Sequence, residues 1–145
     1  MSYATPTHLQ ERYPTARLAE ISDPLGQAAD SAKLQVAVDD ASAEIDSYLG
    51  RRYLLPLASV PPVLRRLACD IAIYRLMSLL DKESVEDARK RYQDALAWLQ
   101  AVVEGSQSLP DGSGSELPSN TVAIGGVRGR ANDRIFDPFS LGGYQ

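Results

Sequence analysis

Hydrophobic positions recur at helical spacing in three long stretches of this chain, and each stretch begins and ends on residues suited to a helix terminus. From Asp30 to Leu49, the positions Leu34, Val38, Ala41, Ile45 and Tyr48 or Leu49 step by four, three, four and three, laying one apolar stripe along a helix that Gly50 ends. From Pro62 to Leu80, Val63, Leu64, Leu67, Ile71, Tyr74 and Ser78 share a face. There Ile73, Leu76, Leu79 and Leu80 carry apolar surface around to the other sides. A helix of a soluble protein that is apolar nearly all round is central and covered by several neighbours. Pro62 suits its first position, where a missing N–H costs nothing. Arg66 and Asp70, one turn apart, have the spacing of a pair. From Ser84 to Glu104, Val85, Ala88, Tyr92, Leu96, Leu99 and Val103 form the expected buried face, with Ser84 as cap and Gly105 as terminator. A second stripe beside it holds Arg91, Ala95, Trp98 and Val102. The pattern predicts an all-α fold, a small helical bundle around a central buried helix at Pro62–Leu80.

Shorter pieces precede the bundle. Thr5-Pro6 is an N-cap and first-position pair opening a short helix to about Arg12. Pro14 opens a second, with Leu18 and Ile21 as its apolar side and Asp23-Pro24-Leu25-Gly26 as its close. Between the first two long helices, residues 50–61 hold two prolines and several large apolar side chains, which predicts an extended, packed connection. Its Arg51-Arg52-Tyr53 is suited either to pairing with acidic neighbours or to reading a phosphate.

The pattern changes after Gly105. Ser106–Asn120 is rich in Ser, Gly, Pro and acidic residues, as linkers and long loops are. Thr121–Ile124 is β-prone, and the remaining tail carries both phenylalanines without a helical period. Such a tail buries no aromatics by folding on itself; it is either disordered or docked on a partner or sister subunit. The division expected is a helical body at 1–105 and an extended C-terminal arm at 106–145. Arg128, Arg130, Arg134, Phe136 and Phe139 are the arm's candidate partner-binding residues, with the aromatics as anchors and the arginines as orienting partners for carboxylates.

Composition narrows the chemistry. With 145 residues the chain is long enough for one real core, and a net charge of −4 offers no overall attraction to nucleic acid or membrane. The first nineteen residues lack the continuous apolar segment of a signal peptide, and the single cysteine, Cys69, allows no intrachain disulfide, so a reduced cytoplasmic setting is expected. One histidine, His8, and one cysteine cannot supply a Cys/His metal cage, and neither a nucleophile elbow nor a phosphate-binding Gly-x-x-x-x-Gly-Lys loop occurs. No cofactor and no catalysis are expected. Two features point to surfaces instead. Asp39, Asp40, Glu44 and Asp46 flank the first long helix as either an ordinary solvated face or one kept negative for a purpose. Trp98 lies on the flank of the last helix, as a core-edge residue or as the anchor of a subunit contact that also uses Arg91 and Val102.

One segment carries a resemblance. Ile45-Asp46-Ser47-Tyr48-Leu49-Gly50-Arg51-Arg52-Tyr53-Leu54-Leu55-Pro56-Leu57, then Val60-Pro61 and Leu67 to Leu76, resembles the Mu-like phage head–tail connector family. Tyr3-Ala4-Thr5-Pro6, Leu9 and Arg12-Tyr13 fit its opening, and Asn132–Phe136 with Ser140–Tyr144 fit its ending, while Asp137-Pro138-Phe139 departs from the more basic stretch expected there. The resemblance implies a virion adaptor assembled in the bacterial host cytoplasm and located at the head–tail interface. It implies self-association into a ring of about twelve copies. The portal protein lies on one side of that ring and a tail-side neck or tail-terminator protein on the other. DNA would pass through without specific binding, past a wall kept negative by Asp39, Asp40, Glu44 and Asp46. The alternative is a helical protein-interaction module outside a virion.

Overall fold

The computed structural model describes residues 1–79, 85–111 and 115–119. Among them the chain forms five helices: α1 (Pro6–Arg12), α2 (Thr15–Ser22), α3 (Ser31–Leu49), α4 (Pro62–Ser78) and α5 (Val85–Glu104). The helix boundaries have local causes. Asp30 caps α3 by accepting from the backbone N–H groups of Ala32 (2.9 Å) and Lys33 (3.2 Å). Pro61 and Pro62 open α4. Thr5 caps α1, and its N–H donates to His8 Nδ1 at 3.0 Å, so the only histidine is used in holding a helix start. Gly50 ends α3 without the left-handed turn expected of a terminating glycine; its φ is −58°.

Gly105 is different, with a φ of +87°. Around it Ser106 N–H donates to Ala101 O (3.0 Å) and Gly105 N–H to Val102 O (3.2 Å), a Schellman close for α5. The positive φ is what favours glycine here; a Cβ would also come within 3.3 Å of the Arg52 guanidinium, which would have to give by a few tenths of an ångström.

α4 is the centre, touching each of the other four helices. It buries Leu64, Leu67, Ala68, Cys69, Ile71, Ala72, Ile73, Leu76 and Met77, positions that go around the helix. α3 buries Leu34, Val38, Ala41, Ile45 and Leu49, the stripe read from the sequence, together with Ala37. Each fully buried Leu or Ile contributes about 1.5–3 kcal/mol, so this three-helix seam is the main source of stability. Leu79, expected to belong to it, is exposed beyond the helix end; Leu80 and Ser84 lie outside the described residues.

The buried face of α5 departs from expectation. Ala88, Ala95, Leu99 and Val102 are buried, whereas Leu96, Val103 and Val85 are only half-buried. The seam therefore follows 88, 95, 99 and 102, with Tyr92 at its margin. Small Ala88 and Ala95 let α5 approach closely, and Val102 in the last turn is wholly buried. The same core takes in part of the stretch read as a linker into the arm. Leu109 and Leu117 are buried in the same core, Leu117 N–H donates to Leu109 O (2.8 Å), and Ser119 bridges to Tyr53. In its described part, 106–111 and 115–119, the chain after Gly105 is folded onto the body. Arg52 fastens it there. Its guanidinium donates to Val102 O (2.6 Å) and Gln107 O (3.3 Å) and pairs with Glu116 (3.1 Å), so the acid-pairing use of this arginine is the one realised.

Candidate functional site

Most of the conspicuous polar side chains are partnered inside the chain. Glu44 on α3 accepts from Arg75 of α4 (2.8 Å) and from the Tyr92 hydroxyl of α5 (2.8 Å), and Tyr92 stacks on Tyr74 with ring centroids 4.4 Å apart. One carboxylate thus ties three helices together. Burial, then the bond to Glu44, pushes the Tyr92 phenol up to about 12, and the same carboxylate holds Arg75 still more firmly protonated. Asp46 pairs with the N-terminal ammonium at 3.0 Å and accepts from the Tyr3 hydroxyl, whose pKa burial raises strongly. Of the four acids expected on an open face, Glu44 and Asp46 are therefore spent on internal fastening. Asp39 accepts only from Gln35 on its own helix (2.8 Å), and Asp40 has no hydrogen-bond or ion-pair partner among the described residues; both are exposed.

Elsewhere, α1, α4 and α5 enclose an open cleft of about 430 Å³. α1 contributes Arg12 and Tyr13, α4 contributes Arg66 and Asp70, and α5 contributes Arg91, Asp94 and Trp98. The central helix puts exposed Arg66 and half-buried Asp70 on the flank that lines this cleft. They do not form the expected pair: Asp70 instead accepts from the Tyr13 hydroxyl at 3.0 Å. Burial and the Asp70 charge push that phenol up to about 12. Among the described residues, the guanidinium groups of Arg12, Arg66 and Arg91 have no carboxylate within ion-pair distance, and Arg91 makes only a 3.3 Å bond to its own helix's Asp87 O. Trp98 is half-buried at the edge, between the cleft and the core.

The cleft collects two of the three residues expected at a subunit contact, Arg91 and Trp98. Val102 is corrected: it is wholly buried in the seam with α4 and unavailable to a neighbour. Sequence reading missed Arg12, Tyr13 and Asp94 as members of the same site. The Arg91, Asp94, Trp98 spacing of three and four is the signal for one helix face, but nothing local brings α1 against it. Arg128, Arg130, Arg134, Phe136 and Phe139 lie outside the described residues, as does the β-prone Thr121–Ile124. Among the described residues no cluster of His, Cys, Asp and Glu suits a metal ion, and no helix is long and apolar enough to cross a membrane.

These features define a small all-α protein whose uncommitted chemistry is on its outer surfaces: a three-arginine cleft on one side and a carboxylate pair on the other. Comparison with known proteins gives that class its family. Residues 3–124 match the family described as Bacteriophage Mu, Gp36, and the chain belongs to it. It is 45% identical over 109 residues to the Mu-like prophage FluMu protein gp36 of Haemophilus influenzae, covering 74% of either chain. It is also 38% identical over 108 residues to Gene product J of Escherichia phage Mu, covering 72% of this chain and 74% of that one. The chain is a Mu-like phage protein.

Proposed function

We propose that this protein is a structural component of the virion, a head–tail connector that forms a ring between portal and tail and leaves a central passage for DNA. The observation that carries the reading is where charge stays unpaired. Glu44, Asp46, Arg52 and Asp70 are fastened to side chains or termini elsewhere in the fold, whereas among the described residues Arg12, Arg66 and Arg91 on one side and Asp39 and Asp40 on the other form no ion pair, Asp39 and Arg91 bonding only within their own helices. A body fastened internally and open at two separate faces suits repeated association better than transformation of a substrate. The Mu-like phage family supplies the setting for such an assembly. Of the acids suggested for the channel wall, Asp39 and Asp40 alone are exposed and outside the described ion pairs, available to a wall or to a neighbouring subunit. The tail beyond Ser119, with Arg128, Arg130, Arg134, Phe136 and Phe139, is assigned to contact with the portal or a tail-side neck protein.

The test is genetic. A phage lacking this product should accumulate DNA-filled heads beside free, complete tails, and supplying the chain in an extract should join them. Truncation after Ser119, which spares the buried Leu109 and Leu117, should leave a folded body that fails to join. Tailed, infectious particles at normal yield without the protein would contradict the reading and favour an interaction module outside the virion.

A further inference from the structure

We infer that the arginine cleft of one copy receives the Asp39–Asp40 face of α3 from a second copy, so that successive subunits associate head to tail. The inference rests on the ring reading and names the surfaces that build it. α4 and α5 form the cleft wall, and α3 packs on these same helices through Leu34, Val38, Ala41 and Ile45. The exposed side of α3 is separate from the cleft, and Asp40 and Val36 line a different groove, with Arg75 and Leu76 of α4 and Pro24 after α2. Two complementary surfaces at separate places on one molecule make a heterologous contact, which closes into a ring when the rotation per subunit allows. A self-complementary dimer would instead need both charges within one patch.

The chemistry of the two faces matches. Arg12, Arg66 and Arg91 present planar donor forks without a carboxylate partner, and a carboxylate accepts from such a fork in bidentate fashion. Asp39 and Asp40 present two adjacent carboxylates, exposed and outside any ion pair of the described residues, although the Asp40 charge is felt by Arg75, which Glu44 already holds. Around them α3 exposes Val36 (60%) and Ala43, a shallow apolar surface of the kind an indole such as Trp98 covers. Phosphate is the competing ligand for a guanidinium cluster. Asp70 and Asp94 stand inside the cleft, and the chain's net charge of −4 opposes a polyanion, whereas a short carboxylate pair can be accommodated between them.

Two full-length variants with opposite defects test this. Arg66→Glu/Arg91→Glu spoils the cleft and leaves α3 intact; Asp39→Lys/Asp40→Lys does the reverse. All four side chains are exposed, so helical content and melting temperature should match wild type, which circular dichroism checks. By analytical ultracentrifugation at low salt, wild type should form rings and each variant alone should be monomeric. An equimolar mixture should regain the ring with the two variants alternating, because the original charges meet at one junction and the reversed charges at the next. The chain carrying all four reversals should regain the ring. Variants that assemble like wild type, or a mixture that stays monomeric, would overturn the inference while leaving the ring reading intact. A wild-type chain monomeric at every concentration would remove both. Wild-type binding to a short DNA duplex that vanishes in Arg66→Glu/Arg91→Glu would assign the cleft to phosphate and overturn it as well.

Discussion

Arg52 offers a sharp test of how the body is held together, because one side chain secures both the end of α5 and the chain that follows. Its replacement by methionine keeps much of the stem and removes the guanidinium. Lost are the bonds to Val102 O (2.6 Å) and Gln107 O (3.3 Å), the 3.1 Å pair with Glu116, and the position of the cation 5.6 Å from the Tyr53 ring centroid. Hydrogen bonds made by a charged group contribute about 1.5–3 kcal/mol. Val102 O keeps the Gly105 N–H, so no carbonyl there is orphaned and the low end of that range applies. Glu116 is half-exposed, which limits the ion pair to about 0–1 kcal/mol. Arg52→Met should therefore cost about 1.5–2.5 kcal/mol, read as a lowered urea midpoint with an unchanged slope. Hydrogen exchange should localise the effect, with the Leu117 amide losing protection well before amides of α4. Glu116→Gln should cost less than about 1 kcal/mol. A loss below about 0.5 kcal/mol for Arg52→Met, or uniform loss of protection across the chain, would refute the idea of a local fastening.

Other outcomes follow from the core and its titrating groups. Ile71→Ala, at the centre of α4, should cost about 2–5 kcal/mol through a core cavity, and a loss within surface-mutation range would remove Ile71 from the core. Tyr13 and Tyr92 are pushed from 10.0 to about 12, so the folded chain keeps protons that the unfolded chain has already released. Urea midpoints should be insensitive to these groups below pH 10 and fall between pH 10 and about 12, a fall that Tyr13→Phe and Tyr92→Phe each reduce. An equal fall in the double phenylalanine variant would contradict this. Cys69 is wholly buried and burial pushes its thiol up to about 11, so maleimide labelling at neutral pH should proceed only as fast as the protein unfolds.

What could be read from the sequence was what helical spacing and terminal residues decide locally. The four-three-four-three stripe of α3, the apolar girth of α4 and the starts at Thr5, Asp30 and Pro62 are visible without the fold. The roll of α5 was not, because its apolar residues offer two adjacent stripes. The choice between them goes with small Ala88 and Ala95 being buried in a core that Leu109 and Leu117 also join. Those two leucines stand in a Ser-, Gly- and Pro-rich stretch whose composition reads as linker, although a pair of buried apolar anchors is enough to fix it. The acidic residues of α3 looked alike in sequence. Partners 31 and 48 residues away, Arg75 and Tyr92, divide Glu44 from Asp40, and the N-terminus does the same for Asp46. The cleft was only half legible, since Arg91 and Trp98 share a helix face but Arg12 and Tyr13 arrive through tertiary packing alone.

The most direct measurement of the central claim is the position of the chain in the finished particle. Purified virions, labelled with gold-tagged antibody against an epitope appended to the C-terminus, should carry label at the head–tail joint. Averaged images should show an annulus there that is missing from heads made without the protein. Label along the tail, over the capsid shell, or absent from purified virions altogether would contradict the account.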